Sequence, residues 1–391
     1  MKFCEIAKKL GFEKYPEALD AVYANMPEDG KPACDLKIID TLEKEWEFFG
    51  KYLQIVKQTA AEINADPLRS VWVKVTAKFA YDNPTHIAST VPVPKPDGTA
   101  VTDLLPLHII LPQVPDAIAQ YQRRGFSESE IRSLMAGFRG GISIVESQVG
   151  RPQVNTIYYS WLHHYSKVEL FNTEGFQFEL RVLPPSAMWL RNKEDGTVLC
   201  VMCKGTFDCT GFQVKGSKNY ENPKDPFTVT FSEDEEKFVG HGVYNNRVSP
   251  QARQYPKSQW ECIIRPGDRC MSLHIPRKAD ITMEALDRAC ASARKIMAER
   301  FADMQGSEIY CSSWLLDPRY REILGPDAKM TKFMERFVKH PVWNQGTSPF
   351  GYVFPVTDDL QSLPEDTTLQ RKLKQMYITG DCIYNYAGLL I

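Results

Sequence analysis

The sequence has 391 residues, of which 43% are apolar and 25% are charged, and such proportions are typical of folded globular proteins rather than disordered or fibrous ones. Its formal net charge of −2 gives no overall attraction for polyanions, so we expect neither a nucleic-acid partner nor an anionic membrane surface. A chain of this length usually forms more than one domain.

The chain has no run of the roughly 20 consecutive apolar residues that a membrane helix needs. Its first residues, MKFCEIAKKLGFEKY, alternate charged and apolar side chains, which is not the pattern of a secretory signal. The 10 cysteines are scattered among apolar neighbours, as in proteins of a reducing compartment. We therefore expect a cytoplasmic protein without a disulfide framework.

The first predicted element is a long amphipathic helix. Apolar residues recur at alternating spacings of three and four from Ile39 to Ile63, and this places them on one helical face. The pattern predicts a single helix over 35–64, with Gly50 inside it. Such a glycine costs about 1 kcal/mol relative to alanine, so packing must outweigh local propensity there.

Helical patterning returns after a proline-rich connection. Residues 107–165 are predicted to form three helices, with breaks near Gly125 and at 137–141. Ser127 has the residue type of an N-cap for the second of them. We expect a mostly helical N-terminal domain over 1–166.

Short β-rich runs follow, separated by clusters of glycine, proline, asparagine and aspartate. They cover 176–182, 198–203, 227–231 and 260–264. From Asp268 onward strands and helices alternate, which predicts an α/β sheet. The elements of this part are expected at 270–275, 282–301, 308–316, around Arg319 and Phe333, at 350–354 and at 368–377. The fold class is therefore α+β to α/β, with a second domain over 167–391 whose α/β core covers 268–391.

Cys200 and Cys203, followed by Cys209, have a spacing that occurs in zinc and redox sites. Residues three apart in a strand point to opposite faces, so two buried thiols are the preferred interpretation, and no metal is expected. A zinc or thiol-based protein stays an open alternative. The sequence contains no H-E-x-x-H, G-x-S-x-G or Walker motif, which argues against the commonest metalloproteases, hydrolases and NTPases.

Four segments of the last third carry a resemblance. They are LHIP at 273–276, CSSWLLDP at 311–318, GYVF at 351–354 and LPEDTTLQR at 363–371. In this order they resemble a family of bacterial acyltransferases with an N-terminal N-acyltransferase domain and a GNAT-like C-terminal domain. The resemblance implies transfer of an acetyl or other acyl group from acyl-CoA to an amine on a small molecule or peptide.

Two residues are candidates for the chemistry of such a transfer. His274 ends a strand at a strand-to-helix turn, and its ordinary pKa near neutrality suits a general base. A core histidine with satisfied hydrogen bonds is an equally open interpretation. Cys311 is a candidate acyl-accepting nucleophile, with a buried, unreactive thiol as the favoured alternative.

The turn after His274 is the candidate CoA site. Arg277 and Lys278 add positive charge there, and Thr282 begins a helix whose free N–H groups favour phosphate. Four further side chains are candidate substrate contacts, although packing explains them about as well: Gln177, Glu179, Trp314 and Arg371. The chain carries no glycine-rich pyrophosphate loop at this turn, so a ligand-binding or assembly protein that keeps the fold without catalysis is the alternative function.

Overall fold

A computed structural model of the protein describes residues 2–27, 30–83, 91–95, 97–214, 223–277, 279–304, 306–342 and 346–391. The chain divides into two compact units, residues 1–172 and 173–391. Helices form the first and sheets dominate the second, which confirms the predicted fold class. The predicted domain division between 166 and 167 stays a prediction.

The first unit is built from helices. Over its described residues these are α1 (Phe3–Lys9), α2 (Ala18–Ala24), α3 (Leu36–Trp46), α4 (Leu53–Ala65), α5 (Pro67–Asp82), α6 (Ala100–Ile110), α7 (Val114–Arg123), α8 (Glu128–Val149) and α9 (Thr156–Ser166). Helix α6 lies at the centre, because all its residues from Val101 to Ile110 are buried and it contacts α4, α5 and α9.

The single helix predicted over 35–64 is wrong, because the chain forms α3 and α4 with a turn between them. Glu47 adopts a left-handed conformation, φ 49°, and ends α3. Arg132 and Arg139 of α8 donate to the carbonyl oxygens of Glu45 and Glu47, which satisfies acceptors at the end of α3. These bonds come from residues distant in sequence, so the apolar spacing gave no sign of the break.

The break predicted at 137–141 is also wrong, since α8 continues through it. A side chain at Gly137 would overlap the ring of Tyr165, and one at Gly141 would crowd the ring of Tyr158. These glycines therefore let α9 pack closely against α8 rather than interrupt the helix. The N-cap at Ser127 is confirmed, with its hydroxyl accepting the N–H of Glu130 at 3.3 Å.

The strands begin at the boundary of the two units. They are β1 (Leu170–Thr173), β2 (Phe176–Val182), β3 (Ala187–Asn192), β4 (Val198–Met202), β5 (Thr206–Phe207), β6 (Phe227–Thr228), β7 (Ser232–Glu233), β8 (Lys237–Tyr244), β9 (Arg247–Val248), β10 (Arg253–Pro256), β11 (Trp260–Ile264), β12 (Arg269–His274), β13 (Ile309–Ser313), β14 (Phe337–Pro341) and β15 (Tyr386–Leu390). The helices of the second unit are α10 (Met283–Arg300), α11 (Tyr320–Leu324), α12 (Lys329–Glu335) and α13 (Thr368–Ile378). The segment 350–354 forms a turn closed by an isolated bridge rather than a regular element.

Two sheets pack against each other in the second unit. The first has the order β1-β2-β12-β13-β15-β14, and the second has the order β10-β8-β4-β3-β11 along its main path. Within the first sheet β12 and β13 run parallel, and α10 connects them. A cluster that includes Trp189, Met202, Tyr310 and Leu389 lies between the two sheets and forms the core.

Candidate functional site

The parallel strands β12 and β13 separate at their carboxyl ends. Their pairing covers only Met271 with Ile309 and Ser272 with Tyr310. Beyond that point β12 continues to pair with β2 as far as His274, and β13 continues to pair with β15 as far as Ser313. In open α/β sheets, ligands bind outside the carboxyl ends of the strands. We refer to this parting of β12 and β13 as the strand gap.

Polar side chains of one sheet face lie beside the strand gap. Gln177 pairs with His274, and Glu179 pairs with Ser272, so these four residues share a face. Ser312 lies two residues beyond Tyr310, the partner of Ser272, and therefore continues this face on β13. Its side chain is exposed. Strand register thus collects two predicted substrate residues and the predicted base at one place.

The centre of this group is a close polar contact between Glu179 and His274. His274 Nε2 lies 2.9 Å from Glu179 Oε2, within hydrogen-bond distance. Glu179 is buried, with 6% of its side chain exposed, whereas His274 is 33% exposed. Arg181 Nη1 lies 3.6 Å from the same Glu179 oxygen. A buried carboxylate therefore orients an imidazole that is reachable from solvent, an arrangement suited to proton transfer.

Cys311 lies on the opposite face of the sheet from this pair. The face alternates along β13, so Cys311 points away from the side that Tyr310 and Ser312 share. The residue is fully buried, and burial raises the pKa of its thiol to about 12. Little thiolate forms near neutral pH at such a pKa, so the geometry gives the predicted nucleophile no support.

The turn after β12 leads into α10. Thr282 is the N-cap of this helix, and its hydroxyl accepts the N–H of Ala285 at 3.4 Å. The N–H groups of Met283 and Glu284 occupy the first helical positions, where no intrahelical acceptor exists. Lys278, the second predicted cation of the turn, lies outside the described residues. Arg277, the first predicted cation, is exposed and lies in the segment between β12 and α10.

Arg277 also contacts the backbone of Tyr352, an aromatic residue whose ring lies near that of Trp314. Its Nη2 donates to the carbonyl oxygen of Tyr352 at 3.4 Å. The ring of Tyr352 lies 6.4 Å from the ring of Trp314, which directly follows β13. Two predicted site residues, Arg277 and Trp314, are thus linked through Tyr352. Tyr352 was not among the predicted site residues, and its place in the GYVF segment was the one available signal.

Arg371 makes its hydrogen bonds within its own helix region and not with the residues at the strand gap. Its guanidinium donates to the Glu365 carbonyl at 2.7 Å and to the Thr368 hydroxyl at 3.2 Å. Both partners lie at the start of α13, the helix that carries Arg371. These local contacts explain its position without a substrate.

Cys200 and Cys203, at and just after β4, are not arranged as a metal site. Cys200 is buried within β4, and Cys203 follows the strand with a thiol whose pKa burial raises to about 12. Among the residues that the structure describes, no group of three or more His, Cys, Asp or Glu side chains is arranged to hold a metal ion. The zinc alternative therefore finds no support in these residues.

The family described as the GNAT-like C-terminal domain matches residues 175–390, which is more than half of the chain. The chain belongs to this family. The strand gap and the pair of Glu179 and His274 both lie within the GNAT-like domain, and the resemblance noted from the LHIP, CSSWLLDP, GYVF and LPEDTTLQR segments is confirmed. A search of the curated proteins found no match.

Solved structures similar to this chain extend the likeness beyond the GNAT-like domain to its full length. An acyltransferase mutant in complex with octanoyl-CoA has a TM-score of 0.66 at 16% identity, covering 100% of this chain and 99% of that chain. An acyltransferase in complex with decanoyl-CoA and teicoplanin has a TM-score of 0.62 at 15% identity, with the same coverage. An acyltransferase in complex with CoA and 10C-teicoplanin has a TM-score of 0.63 at 16% identity and again the same coverage. The TM-scores establish a shared fold, and at these identities the likeness shows the fold alone.

No helix in the described part of the chain is both long and apolar enough to cross a membrane.

Arg181, which completes the polar row of β2, was not among the predicted site residues. An arginine two residues after a strand glutamate was the available signal, because alternate residues share a face.

Proposed function

We propose that the protein is an acyltransferase that moves an acyl group from acyl-CoA to an amine. The observation that carries the proposal is the strand gap with Glu179 and His274 beside it. The fold it shares with acyltransferases crystallised with octanoyl-CoA, decanoyl-CoA and CoA supports acyl-CoA as the donor. The teicoplanin in two of those crystals supports a small-molecule or peptide acceptor.

The residues at the strand gap suit the donor. The edges of β12 and β13 are not paired with each other beyond Ser272 and Tyr310. The pantetheine arm of CoA carries amide groups, which can hydrogen-bond to unpaired strand backbone as an added strand would. Arg277 and the first N–H groups of α10 offer positive charge and donors to the CoA phosphates. In this chain these groups replace a glycine-rich pyrophosphate loop.

His274 is the proposed general base. When bound, acyl-CoA supplies the thioester carbonyl that the acceptor amine attacks. Glu179 holds the imidazole through Nε2, and we propose that His274 takes the proton that the nitrogen of the neutral amine loses as it attacks. The new C–N bond forms as the C–S bond breaks, and His274 returns the proton to the leaving CoA thiolate. The proton that the amine loses therefore leaves with CoA as its thiol, and Glu179 stabilises the protonated form of His274 during the transfer.

Calorimetry and mass spectrometry together test this function. We expect acetyl-, octanoyl- or decanoyl-CoA to bind the full-length protein, and amine libraries to gain the mass of the acyl group. A ligand-binding protein without catalysis predicts acyl-CoA binding with no acylated amine and no release of free CoA thiol. Absence of binding at millimolar acyl-CoA would contradict both functions.

A further inference from the structure

An exposed tyrosine ring is held in place next to the turn after β12. Tyr352 is 56% exposed, and it lies in the turn 349–354, where its N–H donates to the Pro349 carbonyl at 3.2 Å. Phe350 and Phe354 flank it and pack against Tyr377 with ring centroids 5.1 and 6.4 Å apart. Phe350 and Phe354 therefore hold the turn in place by packing against Tyr377. The ring of Tyr352 takes no part in that packing and is exposed.

Charge and a second ring accompany this face. The ring of Trp314 lies 6.4 Å away at an interplanar angle of 42°. The guanidinium of Arg277 contacts the Tyr352 carbonyl oxygen at 3.4 Å. Arg277 belongs to the turn that, in the proposed function, meets the phosphates of CoA. An exposed aromatic ring whose own backbone contacts a guanidinium suits a nucleotide, because a planar base can stack on the ring while the cation meets the phosphate.

We propose that Tyr352, supported by Trp314, is the surface on which the adenine base of CoA stacks. This inference rests on the proposed acyl-CoA-dependent function and identifies which half of the donor is bound where. His274 lies at the strand gap, where the thioester reacts, whereas Arg277 follows it beyond the end of β12. The phosphates and the adenine come after the pantetheine arm in CoA, so the nucleotide half belongs on the Arg277 side.

The deciding experiment compares ligands that differ by the nucleotide. Binding of CoA, octanoyl-CoA and 4′-phosphopantetheine to the full-length protein is measured by calorimetry for wild type and for the Tyr352→Leu, Tyr352→Phe and Tyr81→Leu variants. Leucine keeps apolar area but removes the flat ring, whereas phenylalanine keeps the ring. Tyr81 is a matched control, since it is a tyrosine of similar exposure, 51%, outside the turn 349–354.

Stacking of a base on an aromatic side chain predicts that Tyr352→Leu weakens CoA binding about 5- to 100-fold. The same variant should leave 4′-phosphopantetheine affinity unchanged, and Tyr352→Phe and Tyr81→Leu should bind CoA like wild type. Adenosine 3′,5′-bisphosphate should compete with CoA for wild type and compete less well for Tyr352→Leu.

Three results would overturn the inference. Unchanged CoA affinity in Tyr352→Leu would do so while leaving the proposed function intact. An equal loss for CoA and 4′-phosphopantetheine would assign Tyr352 to the pantetheine arm. A loss that appears only with octanoyl-CoA, and not with CoA, would assign it to the acyl chain. If wild type binds no form of CoA, the proposed function fails together with this inference.

Discussion

Replacing Asp317 by alanine should destabilise the second unit by about 3 to 5 kcal/mol, because it removes the inner partner of a largely buried guanidinium. Asp317 is fully buried and lies 2.7 Å from Arg319 Nη2. Its carboxylate also accepts the backbone N–H of Tyr384 at 2.8 Å. Although burial opposes the charge on Arg319, its hydrogen bond and ion pair with Asp317 keep the pKa of the guanidinium above its usual value. Loss of the carboxylate leaves that charge and the Tyr384 N–H poorly satisfied.

The size of the effect depends on what Arg319 retains. Its guanidinium also lies 3.0 Å from Asp381 and donates to the Cys382 carbonyl at 2.6 Å. These contacts favour the lower end of the range. For a unit of this size, each kcal/mol shifts the unfolding midpoint by about 2 to 4 °C. The Asp317→Ala variant should therefore unfold about 6 to 20 °C below wild type.

Urea unfolding followed by circular dichroism, with a thermal scan, measures this change. The control is Asp381→Ala, which removes the outer carboxylate of the same arginine. Because Asp381 has 48% of its side chain exposed, its loss should cost less than about 1 kcal/mol. Equal destabilisation by the two variants would refute the reasoning, since it would mean that burial of the inner pair adds nothing.

Three further predictions concern packing, pH and thiol reactivity. Gly137→Ala should destabilise the first unit by about 1 to 3 kcal/mol in urea unfolding, because the added Cβ would overlap the ring of Tyr165 in α9. Gly140→Ala should stabilise the same unit by about 0.5 to 1 kcal/mol, because its Cβ would meet no atom within 4 Å. The reverse order of stabilities would contradict this packing. Burial lowers the pKa of His340 from 6.5 to about 4, so the unfolded chain binds more protons in that interval. Its contribution to stability, about 3 kcal/mol at most, is complete above pH 6.5 and is lost as the pH falls towards 4, and His340→Gln should flatten this part of the curve of unfolding free energy against pH. Iodoacetamide mapping of the native protein should modify the exposed Cys4 and leave buried Cys311 unmodified; labelling of both at equal rates would contradict the burial.

Elements with local signals, such as helix caps and apolar periodicity, could be predicted from the sequence. The helix expected at 368–377 is α13, and it begins at a capping box in which the hydroxyl of Thr367 accepts the N–H of Gln370 at 3.1 Å. The strand–helix alternation after Asp268 likewise appears as β12, α10 and β13. Caps and periodicity act over a few residues, so they can be recognised without knowledge of the tertiary structure.

Strands β14 and β15 were not predicted because they lack the alternation that usually identifies a strand. All five residues of β15 are buried, so its sequence reads as a short apolar run. Within β14, Lys339 is buried and donates from Nζ to the Met334 carbonyl at 2.7 Å. A lysine in such a run normally indicates exposure. Its hydrogen bond to the end of α12, five residues earlier, satisfies the buried ammonium, and the apolar pattern does not indicate it.

The candidate site shows the same limit more sharply. His274 and Glu179 were each selected from the sequence, but the contact between them spans 95 residues and depends on the register of β2 against β12. A shift of one residue would place the two side chains on opposite faces. The contact of Arg277 with Tyr352 across 75 residues depends in the same way on tertiary structure.

The central claim is that acyl-CoA binds at the strand gap and that His274 removes the acceptor proton there. Its most direct test is a comparison of His274→Gln with wild type, in which octanoyl-CoA affinity and the rate of amine acylation are measured on the same preparations. We predict affinity within about twofold and a rate lower by about 10² to 10⁴, because a general base contributes to the transition state rather than to binding. An unchanged rate at full acyl-CoA occupancy would contradict the claim.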